Sequence, residues 1–402
     1  MKKNVLMIVA WYPTKDNLVR GGFFRERAQH LSKIYNINIL QVDQKLVHPI
    51  TGFLKILKSY FKSKQITSYL IDNDPKSFYY ITYGIKPSIL PKFLFKKINH
   101  NLYEIGYQYA YYSIIKLGFK TDLIYAASAQ TCGSFAWKLH KLFNVPYVIS
   151  EHSIFSNNSL GRINTKIAIE EAHAILSISH DKTRQFLFCN LNCNPIYIGN
   201  PVDGNRLSLK PDNSNNIHSR ILTVASYTWM KDYETFFKTI KHLKQISINN
   251  FTVSVVGIGK DLDKQQLFKD KLVENQIEDK VELYPYIERD NMIDYYHTHD
   301  VLLVTSIAEG MSNSVLEALA CGLPVYSTIC GGSEDLIENQ SGKLFHLQDY
   351  KTIAEALNEL IEGKIRYNAK YIREKVLSDY GIDVYLSRMQ TIFNDVIDKY
   401  YE

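Results

Sequence analysis

The chain has 402 residues, 46% of them hydrophobic and 22% charged, with a formal net charge of +6. Such a length exceeds what one hydrophobic core usually serves, so two domains of roughly 150–200 residues are expected, and the composition excludes a disordered or low-complexity chain. No apolar run approaches the ~20 residues of a bilayer-spanning helix, and five scattered cysteines fit reduced cytoplasmic thiols better than a disulfide framework.

The first element, "MKKNVLMIVAWYPTKD", mimics a secretory leader. Its apolar part is short and has no small-residue cleavage site, so it reads as a first β-strand, "NVLMIVAWY". Gly21 and Gly22 follow, then the helical pattern "FFRERAQHL". Paired glycines either make an ordinary turn or let the backbone approach a ligand closely. Further strands are expected at "NINILQVD", "SFYYITYG", "DLIYAAS", "PYVISEH", "AILSIS" and "IYIGNP".

Charge is unevenly spread along this half. Between Lys45 and Lys120 twelve lysines face Asp72, Asp74 and Glu104, a net of +9 that leaves the remainder at −3. The lysines alternate with aromatic and apolar residues, as in "FLKILKSYFKSK". Two readings stay open: a solvated helical face over a buried stripe, or a surface resting on anionic headgroups. The segment has no arginine, which argues against nucleic acid as a partner. His152 ends "PYVISEH", where a lone histidine is ordinarily structural, and Glu151 should alternate to the other side of the strand. Cys189 and Cys193 have no neighbouring His or second Cys pair and read as structural thiols.

A polar stretch, "DGNRLSLKPDNSNNIHSR", is the best linker in the chain. A second series of strands then starts: "RILTVAS", "FTVSVVGIG", "KVELYPYI", "DVLLVTS", "PVYSTI" and "GKLFHL". Alternation with helical patterns in both halves predicts α/β architecture with parallel sheets, in which ligands bind beyond the carboxyl ends of the strands. Lys231 stands at the start of the helical run "YETFFKTIKHL", a position unfavourable for a cation unless an anion neutralises it. No Asp-x-Asp pair is placed as a metal site would need. "DND" at Asp72–Asp74 is turn-like, and "DLD" at Asp261–Asp263 leads into a polar surface pattern.

"DVLLVTS" is followed by "EGMSNSVLEALACGLP", with Glu309 at the strand end and Gly310, Met311, Ser312, Asn313 and Ser314 leading into a helix. Free N–H groups at that helix start suit an anion such as a diphosphate. Glu309 beside Gly310 suits an acceptor for hydroxyl groups, which sugars supply. Glu317 has two readings, because Ser314 and Glu317 also have the S-x-x-E spacing of a capping box.

The block "EGMSNSVLEALACGLPV…GGSEDLIENQSGKLF" resembles the signature of retaining glycosyltransferases of family 4, which have the two-domain GT-B fold. "RGGFFRERAQHL", "EHS", "IGNPVD" and "ILTVASYTWMKDYETFF" resemble further parts of that family, with residues 45–120 the most divergent. The resemblance implies two Rossmann-like domains with parallel sheets facing a central cleft: an acceptor-side domain over 1–204, a donor-binding domain over 205–380, and a C-terminal helix over 381–402 that packs back on the first. It implies that Glu309 contacts the transferred sugar, Glu317 the ribose, Lys231 the donor phosphates, and that His152 lies by the sugar. Gly21 and Gly22 would form the cleft floor. The donor would be a UDP- or GDP-linked sugar, with no other cofactor and no metal, and the acceptor a saccharide or lipid-linked saccharide at the inner membrane face. Two departures stand out. The family's phosphate-binding arginine is replaced by Ser226, for which Arg20 or Arg25 are candidate substitutes, and its "H-x-H" becomes Tyr125–Ala127. A nucleotide-sugar epimerase and a non-catalytic sugar-nucleotide sensor are the competing functions.

Overall fold

A computed structural model describes residues 2–13, 21–48, 67–69, 75–86, 92–161, 163–211 and 219–402. Arg20, Asp72, Asp74, the stretch "FLKILKSYFKSK" and the middle of the linker fall outside these residues. The chain divides into two compact units.

The first unit comprises Met1–Ile178, Lys182–Ile198 and Leu386–Glu402. Its strands are β1 (Asn4–Ile8), β2 (Asn36–Val47), β3 (Thr67–Tyr69), β4 (Lys76–Ile85), β5 (Leu123–Ala126), β6 (Tyr147–Glu151), β7 (Ala174–Ser177) and β8 (Pro195–Tyr197). They form one sheet in the order β3-β4-β2-β1-β5-β6-β7-β8. All pairings are parallel except that of β3 with β4. The central strands are buried along nearly their whole length, as parallel strands covered on both faces must be. The apolar run that predicts a strand to Tyr12 continues past the ladder. Strand β1 ends at Ile8, while Val9 and Tyr12 stay fully buried in the loop that follows. Strand β3 went unpredicted because "TSY" has neither length nor apolar alternation.

The chain's last helix, Ile382–Tyr401, gives all but its first turn to this unit. Met389 and Phe393 are fully buried there. The Phe393 ring lies 5.4 Å from that of Tyr125, Tyr35 Oη donates to Asn394 Oδ1 at 3.1 Å, and Lys3 pairs with Asp398 at 2.5 Å.

The second unit comprises Ser179–Asp181 and Gly199–Tyr385. Its strands are β9 (Ser219–Val224), β10 (Phe251–Val256), β11 (Val281–Tyr284), β12 (Val301–Val304), β13 (Val325–Thr328) and β14 (Gly342–Phe345). They are all parallel, in the order β11-β10-β9-β12-β13-β14. The core joins the buried faces of the sheet to helices such as Tyr233–Ile246, which buries Phe236, Phe237, Ile240 and Leu243. The strand order in each sheet has a switch point, between β1 and β5 in the first unit and between β9 and β12 in the second, where successive strands change to the other side. Such a switch point splays the loops at the strands' carboxyl ends and opens a crevice.

Candidate active site

The switch point in the second unit brings together the loops after β9 and β12. After β9 the chain makes a tight turn, Trp229–Lys231, and Asp232 adopts a left-handed conformation with φ of 42°. Asp232 then caps the next helix, accepting from Thr235 N at 3.2 Å and Thr235 Oγ1 at 2.6 Å. Those contacts place Lys231 just ahead of the helix. The turn is fastened to the β12 loop, since Ile307 N donates to Met230 O at 2.8 Å and Thr305 Oγ1 to Lys231 O at 3.1 Å.

Lys231 Nζ lies 2.5 Å from Glu309 Oε1, which also accepts from Ser306 Oγ at 2.8 Å. The anion that neutralises Lys231 at the helix's positive end is therefore Glu309. Glu309 is itself held by its backbone, whose N–H donates to Cys330 O at 2.8 Å. A Cβ at Gly332 would strike the Gly310 carbonyl, so the "CGG" after β13 is what lets the two loops close on each other.

Helix Asn313–Ala320 starts here with Ser312 as its N-cap. The capping box between Ser314 and Glu317 is not formed, because the helix begins before Ser314 and Ser312 Oγ instead meets Ser314 Oγ at 3.0 Å. Glu317 points elsewhere. Its Oε1 accepts from Arg206 Nη2 at 2.8 Å and from Arg289 Nη2 at 2.9 Å and Nε at 3.3 Å, while Oε2 accepts from Tyr296 Oη at 2.9 Å. Two guanidiniums and a phenol thus hold a carboxylate that is only 8% exposed. Burial, and then the Glu317 charge, push the Tyr296 phenol well above its usual range. Arg206, Arg289 and Tyr296 carry no local motif that would have revealed them.

Lys231, Glu309, Ser312 and Ser314 line one small pocket together with Thr305 and Ser306. Met311 and Asn313 flank it and are tied to Asn200, whose N–H donates to Met311 Sδ at 3.1 Å and whose Nδ2 donates to Asn313 Oδ1 at 3.3 Å. Ser226 is exposed, and its carbonyl accepts from Thr228 N at 2.9 Å.

The remaining expected residues belong to the first unit. Gly21 has φ of 69°, and a Cβ there would strike the Trp11 carbonyl, so the turn requires glycine. A Cβ at Gly22 would meet nothing within 4 Å. Arg25 lies in helix Gly22–Leu31. His152 follows β6, and its Nε2 is 2.9 Å from Arg27 Nη1 and 2.8 Å from Ser150 Oγ. Burial first, and the Arg27 charge second, hold its pKa well below the ordinary histidine value. Glu151, 1% exposed, fastens the loops by accepting from the N–H groups of Ala129, His152 and Ser153 at 2.8 to 2.9 Å. Burial is the main influence on its pKa and raises it. Tyr125, at the family's "H-x-H" position, is fully buried. All five cysteines are free thiols. Among the described residues no three His, Cys, Asp or Glu side chains converge as a metal site would require.

Residues 209–376 match the family model described as "Glycosyl transferases group 1". The putative colanic acid biosynthesis glycosyltransferase WcaL of Escherichia coli K12 is 27% identical over 193 residues, which are 46% of this chain and 47% of that protein. The chain therefore spans about half the length of this curated relative. Among solved structures, the sucrose-phosphate synthase of Thermosynechococcus elongatus superposes with a TM-score of 0.75 at 16% identity, covering 99% of this chain and 100% of the other. HepE of Anabaena in complex with UDP superposes with a TM-score of 0.70 at 15% identity, covering 98% and 100%. The chain thus has the GT-B fold, and the family match is confined to residues 209–376.

Proposed function

We propose that the chain is a retaining, metal-independent glycosyltransferase of family 4, moving a hexose from a UDP- or GDP-linked sugar to a saccharide or lipid-linked saccharide in cell-surface polysaccharide or glycolipid synthesis. The observation that carries the reading is the meeting of Lys231 and Glu309 at the strand-order switch point, inside the matched segment and beside the start of helix Asn313–Ala320. Two similar proteins support the substrate classes: HepE was solved with UDP, and WcaL is named for colanic acid biosynthesis.

In this mechanism the donor diphosphate takes Lys231 from Glu309 and accepts hydrogen bonds from the helix's first N–H groups, which concentrate positive charge where the leaving group becomes negative. Glu309, still fixed by Ser306, then accepts from hydroxyls of the sugar ring. Glu317 keeps one lone pair on Oε2 beyond the Tyr296 bond, enough for a ribose hydroxyl. Within the first unit, His152 is assigned to a sugar hydroxyl, and Gly21 and Gly22 to close backbone approach by a ligand. The leaving phosphate oxygen takes the acceptor's proton on the same face, giving retention without a covalent carboxylate intermediate.

The acceptor's setting is an anionic membrane surface. Helix Lys92–Lys116 buries Tyr107, Ala110, Tyr111 and Ile114, yet its opposite face is also apolar, with Ile105, Tyr109 and Tyr112 exposed. Lys116 Nζ sits over the Tyr112 ring at 4.7 Å. A helix with exposed apolar and aromatic residues opposite its buried face, and with lysines near both ends, suits the headgroup boundary better than water. Among the described residues no helix is long and apolar enough to cross a membrane.

Thermal unfolding against a panel of nucleotide sugars tests the reading. A cognate donor at a hundred times its Kd adds about 2.7 kcal/mol, and turnover with an acceptor must yield a glycoside. Free epimer without acceptor would instead make the chain an epimerase, and binding without turnover a sensor.

A further inference from the structure

Around His152 the first unit builds a set of hydrogen bonds whose donors and acceptors follow from the chemistry of the groups. Arg27, 2% exposed, sets Nη1 2.9 Å from His152 Nε2 and 3.1 Å from Tyr125 Oη. Ser150 Oγ lies 2.8 Å from the same Nε2 and 2.8 Å from Tyr125 Oη. A guanidinium only donates, so Nε2 accepts and carries no proton. Ser150, facing the same acceptor, donates its hydroxyl to Nε2. Its oxygen must then accept from the Tyr125 O–H, while the Tyr125 oxygen accepts from Arg27. A neutral imidazole whose Nε2 accepts holds its proton on Nδ1. Phe23 and Phe24 pack edge-on to the ring, with centroids 5.9 and 5.6 Å away, and fix its plane. No described residue bonds Nδ1.

We infer that Arg27, Tyr125 and Ser150 are positioning residues that lock His152 as the neutral Nδ1–H tautomer, so that the ring meets its ligand as a hydrogen-bond donor and not as a general base. The inference rests on the proposed function only in naming the ligand atom, a hydroxyl oxygen of the transferred sugar. It also gives the departure from "H-x-H" a purpose. Tyr125 supplies the hydroxyl that relays Arg27's constraint to Ser150, which an alanine or a solvent-facing histidine could not do.

Nuclear magnetic resonance of the full chain with 15N-labelled histidine reads the tautomer directly, with His152 assigned by its loss in His152→Gln. Wild type should show a protonated Nδ1 and a bare Nε2 between about pH 6 and pH 8, the range in which an unperturbed histidine changes charge. Arg27→Met combined with Ser150→Ala should lose the Nδ1–H signature or restore titration near the ordinary value. A protonated Nε2 in wild type, or an unchanged Nδ1–H pattern in the folded double variant, would overturn the inference. The wild-type spectrum alone decides the matter if the double variant does not fold. A locked Nδ1–H in a protein that binds no nucleotide sugar would uphold the tautomer while sinking the transferase reading, so the two failures are separable.

Discussion

At the scale of single residues, the pairing of Lys231 with Glu309 is the feature on which the proposed chemistry turns. Glu309→Ala and Lys231→Ala should each lower transfer by about 10²–10³-fold, the loss expected for one preorganised charge-stabilising group, while circular dichroism stays unchanged. Wild-type rates in either variant would remove these residues from the mechanism. Both were legible, Glu309 as an acid after an apolar run and Lys231 as a cation at the start of a helical run. Their partnership was not, and neither were the partners of Glu317, which come from 111, 28 and 21 residues away. The capping box had the right spacing but the wrong residue opening the helix, since propensity cannot tell Ser312 from Ser314 as N-cap. His299 supplies a test at pH. It is 3% exposed, its Nδ1 donates to Tyr295 O at 2.6 Å, and burial is the main cause that pushes its pKa down to about 4. Between the unfolded value of about 6.5 and that depressed value the unfolded chain binds more protons. The contribution is therefore complete above pH 6.5 and is lost as pH falls toward 4, by up to about 3 kcal/mol. Denaturant titrations in that window should show a shallower pH dependence for His299→Gln than for wild type.

At the scale of elements, the parallel strands were readable because burial on both faces writes them as unbroken apolar runs. Their ends were not, because burial continues into loops, as at Val9 and Tyr12. The paired glycines show how structure separates roles that sequence merges. Gly21→Ala forces an alanine into φ of 69° against the Trp11 carbonyl and should cost about 1–3 kcal/mol. Gly22→Ala meets no atom within 4 Å in a helical position, so stability should hold or rise by about 0.5–1 kcal/mol. Any loss of transfer in Gly22→Ala at unchanged melting temperature would then report close approach of a substrate to that backbone. Wild-type transfer in this variant would make Gly22 part of the turn alone.

At the scale of the whole molecule, the uneven charge predicts a salt-dependent surface. The protein should sediment with vesicles containing anionic phospholipid at low ionic strength and be released near 1 M salt, where screening reaches about 3 Å. Replacing Tyr109 and Tyr112 with serine should weaken that binding. Equal binding to neutral vesicles would refute the charge argument. The sequence by itself determined that two α/β sheets would form, how their strands are spaced, that Lys231 stands at a helix start and that Glu309 follows a strand, since these follow from local periodicity and turn chemistry. Only the tertiary structure decided that Lys231 closes on Glu309, that Glu317 is gripped by Arg206, Arg289 and Tyr296, and that Arg27 meets His152. Those are contacts between distant stretches of chain, set by strand order and packing, and no local pattern encodes them.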